Sequence, residues 1–329
     1  MDIALWRTKT AAVTEADAPD ATGGAVGYSL AQRVRYLMLS VLVGIVIAGF
    51  WNARVADGFG SEFVAGNTIG GAAGKAGQFA ALGAGFGFIF AIVAGLAATF
   101  TACNCVAFAM LPGLACASDA RTGRASALRA LGTLVFFVLL VGAIYGSFIG
   151  YLGPAGAAAF NAREIRFAQA TVVFSTLGVA MLIWAAIEAG VLDRVTRRFS
   201  PITREFFSQP TTKAAIMGIM IGAFPVGRPY PVFREFLLYA AQMRRPSYGA
   251  AVMAVQGLGQ IAVMVAMFLL IMFFFGRRLQ SWARTRPHQP ALVSVCALAA
   301  GGAYFLFYWG IARLWPELGR WGFKLGWYS

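Results

Sequence analysis

Long uncharged runs dominate this chain, and most are closed by arginines or by a Gly/Pro turn. Seven apolar segments follow from the pattern, at about 36–51, 76–118, 131–151, 167–192, 214–242, 250–275 and 291–311. Segments of about 20 apolar residues cross a bilayer as helices, which satisfy their own backbone N–H and C=O groups. Two of the seven do not fit one straight helix. The run from Ala76 to Ser118 holds 43 residues without a charge. As a single helix it would measure about 65 Å, against a hydrocarbon core of about 30 Å. A break is expected within Thr99–Pro112, where Thr and Asn side chains can serve freed backbone groups and Pro112 removes a donor. The fifth segment is interrupted by Phe224-Pro-Val-Gly-Arg-Pro-Tyr-Pro-Val-Phe-Arg-Glu235, with Pro225, Pro229 and Pro231 inside seven residues.

Composition fixes the class. At 59% hydrophobic and 12% charged residues, the chain carries about half the charge of a soluble domain. It reads as an all-α integral membrane protein with about seven transmembrane helices. The 39 glycines suit helices packed closely through small residues. The net charge of +14 does not call for nucleic acid, because the arginines flank apolar spans as the positive-inside bias requires. With the N-terminus inside, that side collects sixteen Lys and Arg and the other side nine, so the N-terminus is expected inside and the C-terminus outside. The first 30 residues lack the charged, apolar and cleavage regions of a secretory signal, and no removable leader is expected.

The chain divides into a polar tail (1–33), then a first helix and Gly-rich extracytoplasmic loop (34–78). A first group of three helices (79–192), a basic loop (193–213), a second group of three (214–312) and a Trp-rich interfacial tail (313–329) follow. Each group opens with a Pro-broken, Gly-rich helix and continues with two plainer ones. An odd number of spans per group makes the two an inverted pair, and broken helices in corresponding positions of such pairs meet near the midplane.

Cys103 and Cys105 stand in the first break and could form a redox pair or soft ligands, or simply pack a tight bend. Cys116 and Cys296 read as single buried thiols. In the second break Arg228, Arg234 and Glu235 are charges at membrane depth, which face protein or water and need partners. Glu188 is a candidate partner. Three prolines nearby leave backbone groups free to line a cavity that binds an anionic or thiol substrate; alternatively Arg228 joins the two half-helices or docks a subunit. Gln169, Gln256 and Gln260 are expected to bond between helices. The lone histidine, His288, sits in an Arg- and Pro-rich loop, so this chain is not expected to ligate a membrane haem. No cofactor is expected.

The run Phe100-Thr-Ala-Cys-Asn-Cys-Val-Ala-Phe-Ala-Met-Leu-Pro-Gly113, the basic turn Asp119–Arg129 and the helix Leu131–Gly150 resemble the transmembrane CcdA/DsbD family. The resemblance spans about Gln78–Ile311. It implies an inverted three-plus-three core in a bacterial-type inner membrane, and a thiol in each repeat that passes reducing equivalents from a thioredoxin-like protein to extracytoplasmic clients, including those of cytochrome c maturation. On that pattern Cys105 or Cys103 is the first-repeat thiol and Pro112 the proline after it. This chain departs at two places: no proline precedes either cysteine, and Val226-Gly-Arg-Pro-Tyr-Pro231 stands where the second thiol belongs. Three functions therefore stay open. They are a thiol–disulfide conduit, an accessory subunit of a larger membrane complex on the same scaffold, and a transporter of a metal or small anion.

Overall fold

The computed structural model describes residues 28–52, 55, 58–99, 123–196, 198, 200–286, 288–319 and 321–326. Every regular element among them is helical. Helix α1 (Leu30–Phe50) starts at a capping box in which Ser29 and Gln32 serve each other's backbone N–H. Within the stretch read as a Gly-rich loop, a π-helix (Phe59–Ala65) runs directly into Gly66–Ile69. Next come α2 (Phe79–Thr99), α3 (Gly123–Phe160) and α4 (Arg163–Glu188). A short amphipathic helix, α5 (Pro201–Ser208), lies before α6 (Pro210–Gly227) and α7 (Pro231–Ala241). The last long elements are α8 (Pro246–Phe274), α9 (Gly276–Thr285) and α10 (His288–Phe305), the last continued by a π-helix, Leu306–Ile311.

Six stretches are long and apolar enough to cross a membrane: 30–50, 75–99, 125–160, 163–188, 246–274 and 288–314. The fifth apolar segment is instead divided. Pro229 and Pro231 cannot donate the N–H groups that the carbonyls of Pro225 and Gly227 would take in a continuous helix, so α6 stops and α7 begins anew with Pro231 at its first position.

Helix α3 is the hub, packed on α8, α6 and α7, while α8 also packs on α2, α6 on α4, and α10 on α1 and α4. These crossings are made by glycines. Gly146 of α3 and Gly249 of α8 face each other's carbonyl oxygens with no room for a methyl group, and Gly95 of α2 meets the backbone of α8 at Gln256–Gln260 in the same way. Such contacts bring backbones together where lipid offers no hydrophobic driving force. Gly153 (φ 64°) turns α3 sharply before Pro154, just past the end of the third apolar segment, and the helix continues beyond this bend to Phe160. Helix α1 packs on α10, where Gly44 meets the Ala300 carbonyl, and through Gly49 and Phe50 it touches Trp321 of the tail.

Candidate functional site

The site forms where α6 ends. Its last turn closes with a long bond from the Arg228 N–H to the Pro225 carbonyl (3.4 Å), and the remaining carbonyls need donors from elsewhere. Arg166, in the first turn of α4, supplies them. Its Nη1 donates to the Val226 carbonyl (3.0 Å), the Gln169 Oε1 (3.0 Å) and the Tyr145 hydroxyl (3.1 Å). Its Nη2 donates to the Pro225 carbonyl (3.2 Å) and to the Arg228 carbonyl. The guanidinium also faces the Phe233 ring at 5.7 Å. Arg166 is 0% exposed. A planar five-donor cation suits this position, because carbonyls at a helix C-terminus carry partial negative charge and bonds from charged donors are the strong ones.

Arg228 points the other way, 2% exposed, and its Nη1 reaches the Gln260 Oε1 at 3.5 Å. The same oxygen accepts from Gln256 Nε2 (3.3 Å), and Gln260 Nε2 donates across to the Ile221 carbonyl of α6 (3.5 Å). The Gln260 backbone carbonyl takes the Thr99 hydroxyl at 3.1 Å. A continuous polar thread thus runs from the end of α2, through the middle of α8, to the break between α6 and α7. Gln256 and Gln260 are fully buried, and Gln260 bonds between helices as expected. Gln169 accepts from Arg166 on its own helix and donates to the Phe160 carbonyl at the end of α3, so it too bonds between helices, whereas the Gln256 bond to Gln260 stays within α8.

Arg234 makes a reciprocal pair with the turn between α3 and α4. Its Nη2 donates to the Asn161 carbonyl (3.2 Å), and Asn161 Nδ2 donates to the Arg234 carbonyl (3.0 Å). Glu235 is half-buried and joins neither arginine. Glu188, the expected partner, lies at the far end of α4, where it pairs with Lys213 and accepts from Trp184 Nε1 (3.2 Å). The reason is spacing: Glu188 is six helical turns from Arg166 along α4.

Among the described residues the cluster is therefore cationic. Arg228 and Arg234 lie near enough to Arg166 to repel it, and no described carboxylate touches Arg166 or Arg234. Arg166 Nε, Arg234 Nε, Asn161 Oδ1 and Gln256 Oε1 are buried without a hydrogen-bond partner. Such a place favours a negative group over a neutral or positive one. Among the described residues no three His, Cys, Asp or Glu side chains gather to hold a metal ion. Cys103, Cys105, Cys116 and Pro112 lie outside the described residues. Cys296 is a free thiol on α10, partly buried. In the sequence Arg166 reads only as a basic residue just before the fourth apolar segment. The available signal was its place at the head of the buried stripe Ala170, Phe174, Gly178, Met181 and Ala185 on α4, whose helical spacing turns Arg166 inward. No family model, curated protein or solved structure matches the chain.

Proposed function

We propose that the chain is a CcdA/DsbD-like membrane protein that transfers reducing equivalents by thiol–disulfide exchange for extracytoplasmic proteins, with Cys103 and Cys105 as its sulfur centre. The observation that carries this reading is the end of α2 on the polar thread. Thr99, four residues before Cys103, bonds to Gln260, whose side chain receives Arg228. Connectivity alone keeps Cys103 within about 14 Å of Thr99. A cationic neighbourhood raises the thiolate fraction of a cysteine, and the thiolate is the attacking species.

The exchange balances within one break. One thiolate attacks a sulfur of the client disulfide, forming a mixed disulfide and releasing the client's other sulfur as a thiolate. The second cysteine then attacks the mixed bond, which leaves the client with two thiols and Cys103–Cys105 oxidised. The Cys103–Cys105 disulfide is then reduced again by the same exchange with a thioredoxin-like dithiol, which itself becomes the disulfide.

The reading includes seven spans, counting α6 and α7 as one broken crossing, in an inverted three-plus-three core with the N-terminus inside. A repeating interval supports it. Gly153, where α3 bends, and Gly276, where α9 begins, are 123 residues apart. Gly95, packed on α8, and Gly218, packed on α3, share that interval. By the same interval Arg228 answers Cys105. A cation in place of the second thiol favours one alternative, an accessory subunit that keeps the scaffold without the relay.

Thiol trapping in cells, with and without the thioredoxin system, separates the readings. A conduit gives Cys103 and Cys105 a redox state that follows thioredoxin reduction, and Cys→Ser at either leaves clients oxidised. An unresponsive pair with full function after both substitutions ends the proposal. In that case, stable recovery with other membrane subunits indicates the accessory role, and flux into liposomes lost in Arg228→Ala indicates transport.

A further inference from the structure

Residues 58–69 do not stay at the membrane surface. Gly60 lies against the Ala97 carbonyl and the Tyr230 hydroxyl, so closely that a methyl at position 60 would collide with both. Ala97 is far along α2: from Ala84, past the bend at Gly83, to Ala97 is about 20 Å of helix at 1.5 Å per residue. The following Lys75–Gln78 turn is back at the start of α2. The segment therefore descends beside α2 to the level of the break and returns. Ala65 is wholly buried, and Ala65, Ala72 and Ala76 join one apolar cluster with Phe90, Ala94, Ala97, Tyr230 and Phe233.

Backbone at this depth is tolerated only where it is buried in protein or lines a cavity, and this piece is π-helical, a rare geometry that is frequent at functional sites. Its outer face carries the stacked pair Phe59 and Phe63, 5.0 Å between ring centres, with Phe63 60% exposed. Its inner face is small: Gly60 and Ala65.

We infer that residues 58–69 are a re-entrant plug over the break, and that the seating of Gly60 on the Ala97 carbonyl, beside Tyr230, decides what reaches the arginine-lined site from the extracytoplasmic side. The inference rests on the proposed function for what must pass, a client disulfide, but not for the closure itself. Small residues on the inner face let the plug seat without side-chain interdigitation, so it can withdraw as one piece. A client loop must displace it before any sulfur exchange.

The test uses purified protein in detergent with all four native cysteines replaced, so it is independent of thiol chemistry at Cys103 and Cys105. A single reporter cysteine is placed at Tyr230→Cys, and the labelling rate with a charged maleimide is compared with that of Asn67→Cys, an exposed position on the plug. A seated plug makes the Tyr230→Cys reporter at least tenfold slower than the Asn67→Cys reporter. Adding Gly60→Leu, which cannot seat, raises the Tyr230→Cys rate at least tenfold and leaves the Asn67→Cys rate unchanged. Gly60→Ala, a single methyl, is run in parallel and gives a smaller rise, about threefold, should the leucine variant not be monodisperse. A Tyr230→Cys reporter that reacts as fast as the Asn67→Cys reporter with Gly60 intact overturns the plug. So does a rate that neither Gly60 variant changes.

Discussion

Replacing Arg166 sets two large terms against each other. Arg166→Met takes donors from the carbonyls of Pro225, Val226 and Arg228. Buried acceptors left without a donor cost about 1–3 kcal/mol each, roughly 3–9 kcal/mol for three. Methionine also relieves the burial of an ion, whose desolvation in a protein costs several kcal/mol, and the repulsion from Arg228 and Arg234. The two terms nearly cancel, so Arg166→Met is expected to be only mildly destabilising. Arg166→Lys separates them. Lysine keeps the charge, its desolvation and the repulsion, but loses the planar fork that serves carbonyls on both sides of Gly227. It therefore bears the loss with little offset and should be the worse of the two, by about 2–3 kcal/mol. At about 2–4 °C per kcal/mol, its unfolding temperature in detergent, followed by tryptophan fluorescence, should fall roughly 4–12 °C below that of Arg166→Met, and further below wild type. Arg163→Met, which gives up a contact with the Phe167 ring at 5.8 Å, serves as the control and should move little. If Arg166→Lys melts with the wild type, positive charge alone is what the site needs, and the guanidinium fork is not what closes the end of α6.

Two further outcomes follow from the packing. Gly146→Leu or Gly249→Leu should abolish folded, monodisperse protein, because each pushes a side chain into the partner's backbone at the α3–α8 crossing; normal size-exclusion profiles for both would refute a crossing that close. Tyr239→Phe and Tyr248→Phe each remove a hydroxyl that donates to a carbonyl at the α2 bend, of Gly83 (2.7 Å) and Ala84 (2.9 Å). Each should cost about 1 kcal/mol, read as a shift of a few degrees in the same melt, and no shift in either would mean the bend is held by packing alone.

Much of the helical plan could be read in the residues, because transmembrane segments are specified by length and the absence of charge. The broken fifth segment was readable for the same reason: three prolines in seven residues leave no continuous ladder of donors. What the breaks do with their freed groups was not readable. Hydropathy reports whether a segment is buried in lipid or protein but not which neighbour it meets, and Arg166 reaches its carbonyls across about 60 residues of intervening chain. Glu188 failed as a partner because one-dimensional proximity to a break says nothing of depth along a helix. The 58–69 segment read as a surface loop because glycine-rich, weakly apolar stretches give no hydropathy signal. Its burial depends on what glycine lacks, a side chain at position 60 that would keep α2 and Tyr230 away.

The sign of the charge at the second break follows from which end of a helix is exposed there. A helix N-terminus presents N–H groups and attracts anions, while a C-terminus presents carbonyls and needs donors. Helix α6 enters the break with its C-terminus, so no carboxylate could have served it; an acid would add acceptors to acceptors. Water could, but a water supplies two hydrogens, whereas one guanidinium supplies five in a fixed plane. Once Arg166 is committed to that end, its charge remains after its hydrogen bonds are made, and Arg228 and Arg234 add to it. The break is thus positive as a consequence of being stably closed, before any ligand is considered. A sulfur brought to it finds its thiolate favoured over its thiol, and the same residues that hold the half-helices together set the chemistry that the site can support.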